Sequence, residues 1–474
     1  MNSRSHASRR AAVIGTGPNG LAAAITLAQL GIHVDVCEAE PQLGGAARTM
    51  ELTLPGFHHD FGSAVHPLAA GSPFFSSLPL QAHGLHWIHS PAPLAHPFDD
   101  GTAVILERTL HDAESALGPD GKRWRSLMQP FADRWSLLAA EILRPLHIFT
   151  RHPFLLARFG LAGIPSAKTL THLFRGERTK ALFAGLAAHS FLSLDEPLSA
   201  AFGITLAAAA HAVGWPIPRG GAQSISNALG AYFLSLGGSL SLSTRIQDLS
   251  ALANYDAILC DVTPHQLLRI ARNRFPARFA RRLAKYRYGP GVFKVDYALH
   301  NPIPWKVPDC ARAATVHLGG SLQEIAASEY AMSHGRHAER PFVLLAQPSL
   351  FDPTRAPAGK HIAWAYCHVP NGSTVDMLEA LESQIERFAP GFRDCILARR
   401  VFTPAALEVM DPNLIGGDIS GGAMDFRQFF FRPTWRHYAT PVRNICLCSS
   451  STPPGGGVHG MCGHNAANLA TSRL

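Results

Sequence analysis

The sequence predicts an α/β fold with a parallel-sheet nucleotide domain, a separate antiparallel sheet and a helical insert. Three observations predict it. Residues 11–38 read as a strand, a glycine turn, a helix and a second strand. From Leu110 to Pro216 the apolar period becomes helical, and runs such as Gly291 to Leu299 and His361 to His368 read as strands. Composition agrees: the 474 residues are 47% hydrophobic and 16% charged, against about 25% charged in average soluble domains. That excludes a disordered chain, and the length predicts more than one core.

The first unit runs Ala11 to Ile14 as a buried strand, Gly15-Thr16-Gly17-Pro18-Asn19-Gly20 as a tight turn, and Leu21 to Leu30 as a helix closed by Gly31. Ile32 to Cys37 is the second strand, and Glu38 follows 18 residues after the third glycine. This is a Rossmann-like β-α-β pattern, in which each part has a physical job. Gly15 permits the turn, Gly17 lets backbone approach a pyrophosphate, and Gly20 lets the helix pack on the strand. The helix N-terminus offers free N–H groups to the anion. Glu38 accepts ribose hydroxyls and repels a 2′-phosphate, which disfavours NADP. Arg9 and Arg10 before an uncharged stretch resemble the start of a secretory or twin-arginine signal, but the glycine turn argues for the nucleotide unit.

Next come Glu38-Ala39-Glu40-Pro41-Gln42-Leu43-Gly44-Gly45-Ala46-Ala47-Arg48-Thr49. A second glycine pair six residues past the acid, with Arg48 beyond it, lets chain and guanidinium lie against an extended dinucleotide. Here the sequence resembles the flavoprotein family of amine oxidases, phytoene desaturases and Rab GDP-dissociation inhibitors, and most of all the bacterial phytoene-desaturase-like oxidoreductases. In those the glycine pair is often followed at once by Arg, where this chain has Ala46.

The resemblance implies FAD, and an FAD-binding domain assembled from discontinuous segments. The segments are 1–109, 217–289 and 416–474, with a helical insert at 110–216 facing substrate and membrane and a substrate-domain sheet at 290–415. It implies adenine pairing near Ile246, at the end of a strand from Ser239. It also implies a closing flavin motif from Asn444 to Ala467, in which Ser450, Gly457, Val458 and His459 lie against the flavin. Formally Gly455, Gly457 and Gly460 form another G-x-G-x-x-G, but only 14 residues follow, too few for a second β-α-β unit. With Gly15, Gly17, Pro18, Asn19, Gly20, Glu38, Ala39, Gly44, Gly45 and Arg48, these residues form the expected cofactor site. Asp261 stands where the family usually has a small residue, and Asp60 is read as a turn or helix cap.

His459 and His66 are the candidate catalytic side chains, His66 as a polar group facing the cavity. Seven histidines fall between His58 and His96 without metal-ligand spacing, and the eight cysteines include no C-x-x-C. No metal site is therefore predicted, and a reducing compartment is. The net charge of +8 is referred to residues 131–180, where eight Lys and Arg meet three Asp and Glu, leaving +3 elsewhere. Phe131, Trp135, Phe149, Phe154, Phe159 and Phe174 interleave with those cations. An anionic bilayer surface and a solvated helical domain both fit this pattern, whereas nucleic acid would favour a more polar scaffold. Leu198 to Trp215 lacks charge but is diluted by alanine and polar residues, so a buried cavity-lining helix is predicted rather than a transmembrane span.

Together these imply an FAD-dependent desaturase or dehydrogenase acting on a long apolar, isoprenoid or lipid-like substrate. Quinone or dioxygen is the implied acceptor, and the implied location is cytoplasmic or peripheral on the inner face of the membrane. A flavin-dependent polyene isomerase, an amine oxidase and a non-catalytic prenyl-binding protein remain the alternatives.

Overall fold

The computed structural model describes residues 9–145 and 150–474. A five-stranded, all-parallel sheet has the order Ile445–Leu447, Ala257–Cys260, Arg10–Ile14, His33–Cys37, Ser239–Ser241. Ala11, Ala12, Val13, Ile258 and Leu259 are sealed from solvent, as a sheet covered on both faces requires. Helix Pro18–Gln29 starts with proline after Gly17, where proline's fixed φ and missing N–H cost nothing. It packs between helices Gln223–Ser235 and Met461–Arg473. The C-terminal pair approaches so closely that a Cβ on Gly463 would strike the Asn19 carbonyl.

The second sheet has seven strands in the order Ile396–Phe402, Gly291–Leu299, His361–Val369, Val343–Ala346, Ala313–Leu318, Ala92–Pro97, Ala103–Leu106. All its pairs are antiparallel except Ala313–Leu318 with Ala92–Pro97. This corrects the expected segment boundaries: residues 92–106 belong to the second sheet, not to the first nucleotide segment. All six residues of Ala92–Pro97 are buried. Its local sequence gives no polar face from which to read a partner, and tertiary placement alone decides the sheet it joins.

The strand expected from Ser239 to Ile246 stops at Ser241. Ser243 takes a positive φ of 51°, and Thr244 N–H donates to the Glu38 carbonyl at 2.6 Å, which turns the chain inward. Between the sheets lies the helical insert, including Pro153–Gly163, Glu177–Ala188 and Ser199–Ala212. Helix Ser199–Ala212 has 14 residues and is mostly buried. Among the described residues no helix is long and apolar enough to cross a membrane.

Phe149 lies outside the described residues. Four of the eight insert cations have carboxylate partners: Arg144 with Glu141, Lys168 with Asp195, Arg178 with Asp100 and Lys180 with Glu177. A denser basic stretch runs from Pro264 to Arg287, with eight Lys and Arg and no Asp or Glu, so the remaining charge is not evenly spread.

Candidate functional site

One cavity of about 1450 Å³ runs from the glycine turn of the parallel sheet to the underside of the seven-stranded sheet. That exceeds the roughly 300–1,000 Å³ of ordinary small-ligand sites. At one end Gly15, Gly17, Pro18 and Asn19 line it with Glu38, Ala39, Gly45, Arg48 and Ile246. Gly15 has φ of 98° and donates its N–H to the Cys37 carbonyl at 2.9 Å, a bend that fixes the turn under the first helix.

Glu38 Oε2 accepts from Thr16 N–H at 2.8 Å and Thr16 Oγ1 at 2.6 Å, and Oε1 accepts from Glu40 N–H at 3.0 Å. These bonds aim the carboxylate and leave lone pairs for a sugar hydroxyl. Gly20 and Gly44 do not line the cavity. Gly20 N–H donates to Asp261 Oδ2 at 2.8 Å, and Gly44 N–H donates to Thr16 Oγ1 at 3.1 Å, so both hold the turn from behind.

Arg48 is buried with its guanidinium over the Phe61 ring at 5.4 Å. Its Nη2 donates to the Met410 carbonyl at 2.9 Å, while its Nε has no partner. Asn19 Oδ1 is likewise buried without one. These orphaned polar atoms beside a glycine cradle fit a dinucleotide. Asp261 intrudes on the same cradle. Burial pushes its carboxyl up to about 7, and Asp411 and Glu38 add to the rise against the Gly20 N–H bond.

The closing loop brings Ser450, Gly457, Val458 and His459 to the cavity. Gly460, at φ of 69°, starts helix Met461–Arg473. His459 is sealed from solvent; its Nδ1 accepts from Met461 N–H at 3.0 Å, so the ring proton sits at Nε2, which has no hydrogen-bond partner. Burial pushes its pKa down to about 4. Nδ1 is committed to bracing the loop, while Nε2 stays without a hydrogen-bond partner in a ring that lines the cavity. His66 lines the cavity with its Nε2 unpartnered, and burial pushes it to about 4 as well. The other histidines of that stretch are dispersed, and among the described residues no three His, Cys, Asp or Glu gather as a metal site.

Under the seven-stranded sheet the lining becomes apolar, with Phe202, Leu206, Trp215, Val292, Leu344 and Trp364. One charged side chain reaches it from the sheet. Lys294 is buried, ion-paired with Asp296, and within 5.8 Å and 5.3 Å of the Trp364 and Phe402 rings. Burial lowers its pKa and Asp296 opposes that. Behind it His59 Nδ1 lies 3.7 Å from Asp296, and Asp60 binds Arg355 at 2.7 Å. Asp60 also accepts from Thr49 Oγ1 and Ala222 N–H, each at 2.8 Å. It is therefore a junction of three segments, more than the turn cap the sequence suggested.

A family description, NAD(P)-binding Rossmann-like domain, matches residues 13–76. Pyridine nucleotide-disulfide oxidoreductase domain-containing protein 2 of Rattus norvegicus is 26% identical over 97% of this chain and 92% of its own length. Phytoene dehydrogenase of Streptomyces griseus is 24% identical over 94% of this chain and 91% of its own. The chain is homologous to flavin-type oxidoreductases that include both of these relatives. An oxidoreductase from Methanosarcina mazei shares the fold, with a TM-score of 0.64 at 16% identity, covering 98% of this chain and 100% of that one.

The matched family segment covers the dinucleotide turn and stops well before Lys294 and Asp296. Lys294 and Asp296 went unread in the sequence, although a signal exists: two opposite charges at i and i+2 inside an otherwise apolar strand point to the same face.

Proposed function

We propose that this oxidoreductase binds FAD and removes hydrogen from a long apolar, isoprenoid or lipid-like substrate, forming a carbon–carbon double bond. The observation that carries the reading is the single continuous cavity, polar at the glycine cradle and apolar beneath the seven-stranded sheet. Gly15, Gly17 and Asn19 would hold the diphosphate, Glu38 the ribose, and the 456–459 backbone the flavin edge. When bound, FAD supplies the acceptor for a hydride, a pair of electrons with its proton.

The chain's own side chains do the rest. Phe202, Leu206 and Trp215 exclude water and align an apolar chain. Without its ammonium proton, a state that burial favours, Lys294 takes up the proton lost from the adjacent carbon, and the ion pair with Asp296 is what that uptake forms. Quinone or dioxygen is the proposed terminal oxidant.

The cavity mouth adds a location for this chemistry. Leu161 and Ile164 line the cavity, yet stand 81% and 53% exposed, beside Phe154 at 90%. Arg151 and Arg158 are near neighbours in the chain. This supports docking of the 131–180 insert on an anionic bilayer, from which an apolar substrate is drawn. The perpendicular Trp364–Tyr366 ring pair, 5.1 Å apart in the cavity, supports a second reading, oxidation of an apolar amine.

One experiment separates them: anaerobic incubation of the purified protein with lipid extracts and with long-chain amines, followed by flavin bleaching and product identification. Bleaching by the lipid fraction with a new double bond in the product is the expected result. Bleaching by amines alone, or flavin absent from the protein, overturns it.

A further inference from the structure

The apolar end of the cavity contains one polar device that the proposed chemistry leaves unused. His189 follows helix Glu177–Ala188 and lines the cavity with Phe191 and Trp215. Its Nε2 lies 3.0 Å from Nε2 of His317, which is fully buried on strand Ala313–Leu318. His317 Nδ1 has no partner, and Gly185 leaves it its space, because a Cβ there would come within 2.6 Å.

One ring must donate across that contact and the other accept. If His317 carries its proton at Nε2, its buried Nδ1 is only a bare lone pair. If His189 donates instead, His317 must bury an N–H with no acceptor, which folded proteins avoid more strongly than an unused lone pair. His317 therefore donates, His189 accepts at Nε2, and the His189 proton sits at Nδ1. Burial, reinforced by His368, pushes His189 down to about 3, and burial with His189, His96 and His368 holds His317 low. The pair stays neutral at ordinary pH.

We propose that His189 Nδ1–H donates a hydrogen bond to an uncharged oxygen, a carbonyl or hydroxyl, at one end of an otherwise apolar ligand. The sheet gives this contact a length scale. Lys294 pairs with Tyr366, Tyr366 with Leu344, and Leu344 with His317, a row across four neighbouring strands. Three strand spacings put the histidine pair about 14 Å from Lys294. The oxygen is thus gripped away from the carbon whose proton Lys294 receives, and the device selects oxygenated isoprenoids or lipids over bare hydrocarbons. The inference rests on the apolar-ligand reading above.

The test titrates the full-length protein with three probes: all-trans-retinol, its methyl ether, and the polyene hydrocarbon of equal length. Binding is read by quenching of tryptophan fluorescence. His189→Phe should weaken retinol about tenfold and leave the hydrocarbon within about twofold, while His189→Gln, which keeps an N–H donor, recovers most of the loss. In the wild type the ether, which accepts but cannot donate, should bind as tightly as retinol. Retinol binding untouched in His189→Phe, or an ether tenfold weaker than retinol, overturns the role of His189 alone. No binding of any probe to the wild type overturns the apolar-ligand reading and this inference with it.

Discussion

Asp261, Asp411 and Glu38 bring three carboxyl groups to a cradle proposed to hold a diphosphate. Asp261, raised to about 7 chiefly by burial, changes its charge near neutrality. Below that pH it is a neutral acid beside the anion; above it, a repelling carboxylate. Cofactor binding should therefore take up a proton, and affinity should fall as pH rises through about 7, by up to roughly tenfold per unit. Asp261→Asn should flatten this dependence, as read by flavin fluorescence released between pH 6 and 8. Glu38→Ala loses both the sugar contact and the bonds to Thr16, and should purify largely without flavin; full yellow occupancy would contradict that role. Lys294→Met should keep its flavin and slow anaerobic bleaching about a hundredfold or more, whereas unchanged bleaching would remove Lys294 from the chemistry.

Among the elements, the first and last helices show that a glycine of the closing motif can matter for packing alone. Gly463 lets helix Met461–Arg473 lie against the Asn19 carbonyl, so Gly463→Ala should cost about 1–3 kcal/mol of stability by overpacking, measured as a lower urea midpoint. Elements whose logic is local were legible in the sequence: the Gly15–Gly20 turn, helix Pro18–Gln29, and strands Gly291–Leu299 and His361–Val369. Elements whose logic is tertiary were not. Ala92–Pro97 carries no mark of its sheet, and the strand after Ser239 ends early because residues 243 and 244 fold back onto Glu38. The His189–His317 pair was invisible because the fold brings together residues 128 apart in sequence, whereas Lys294 carried a local signal in Asp296 two residues on. His459 was legible as a position in the closing motif, but not as a ring spent on the Met461 N–H.

For the whole molecule, the charge balance first referred to the insert is distributed differently. Half of the insert cations are neutralised by neighbours, while Pro264 to Arg287 holds eight Lys and Arg and no acid, of which Arg272 and Arg287 pair with Asp248 and Asp425. The proposed membrane docking would thus rest more on the apolar rim at Phe154, Leu161 and Ile164 than on net charge. Replacing Phe154 and Leu161 together by serine should abolish pelleting with anionic vesicles without altering flavin content. Wild-type pelleting should weaken but persist in high salt, since screening removes only the charged part; complete loss in salt would assign the docking to charge alone.

The parallel sheet is stitched from distant stretches of chain: its central strand is Arg10–Ile14, and one edge is Ile445–Leu447. On a ribosome the glycine cradle emerges early, but the wall opposite it, Gly456 to His459, arrives about 430 residues later. At 5–20 residues per second that interval is roughly 20–90 s. The nascent chain meanwhile exposes an unfinished sheet edge and the apolar flank of its first helix. The proposed cofactor site is therefore complete only after that interval, when helix Met461–Arg473 docks on the first helix.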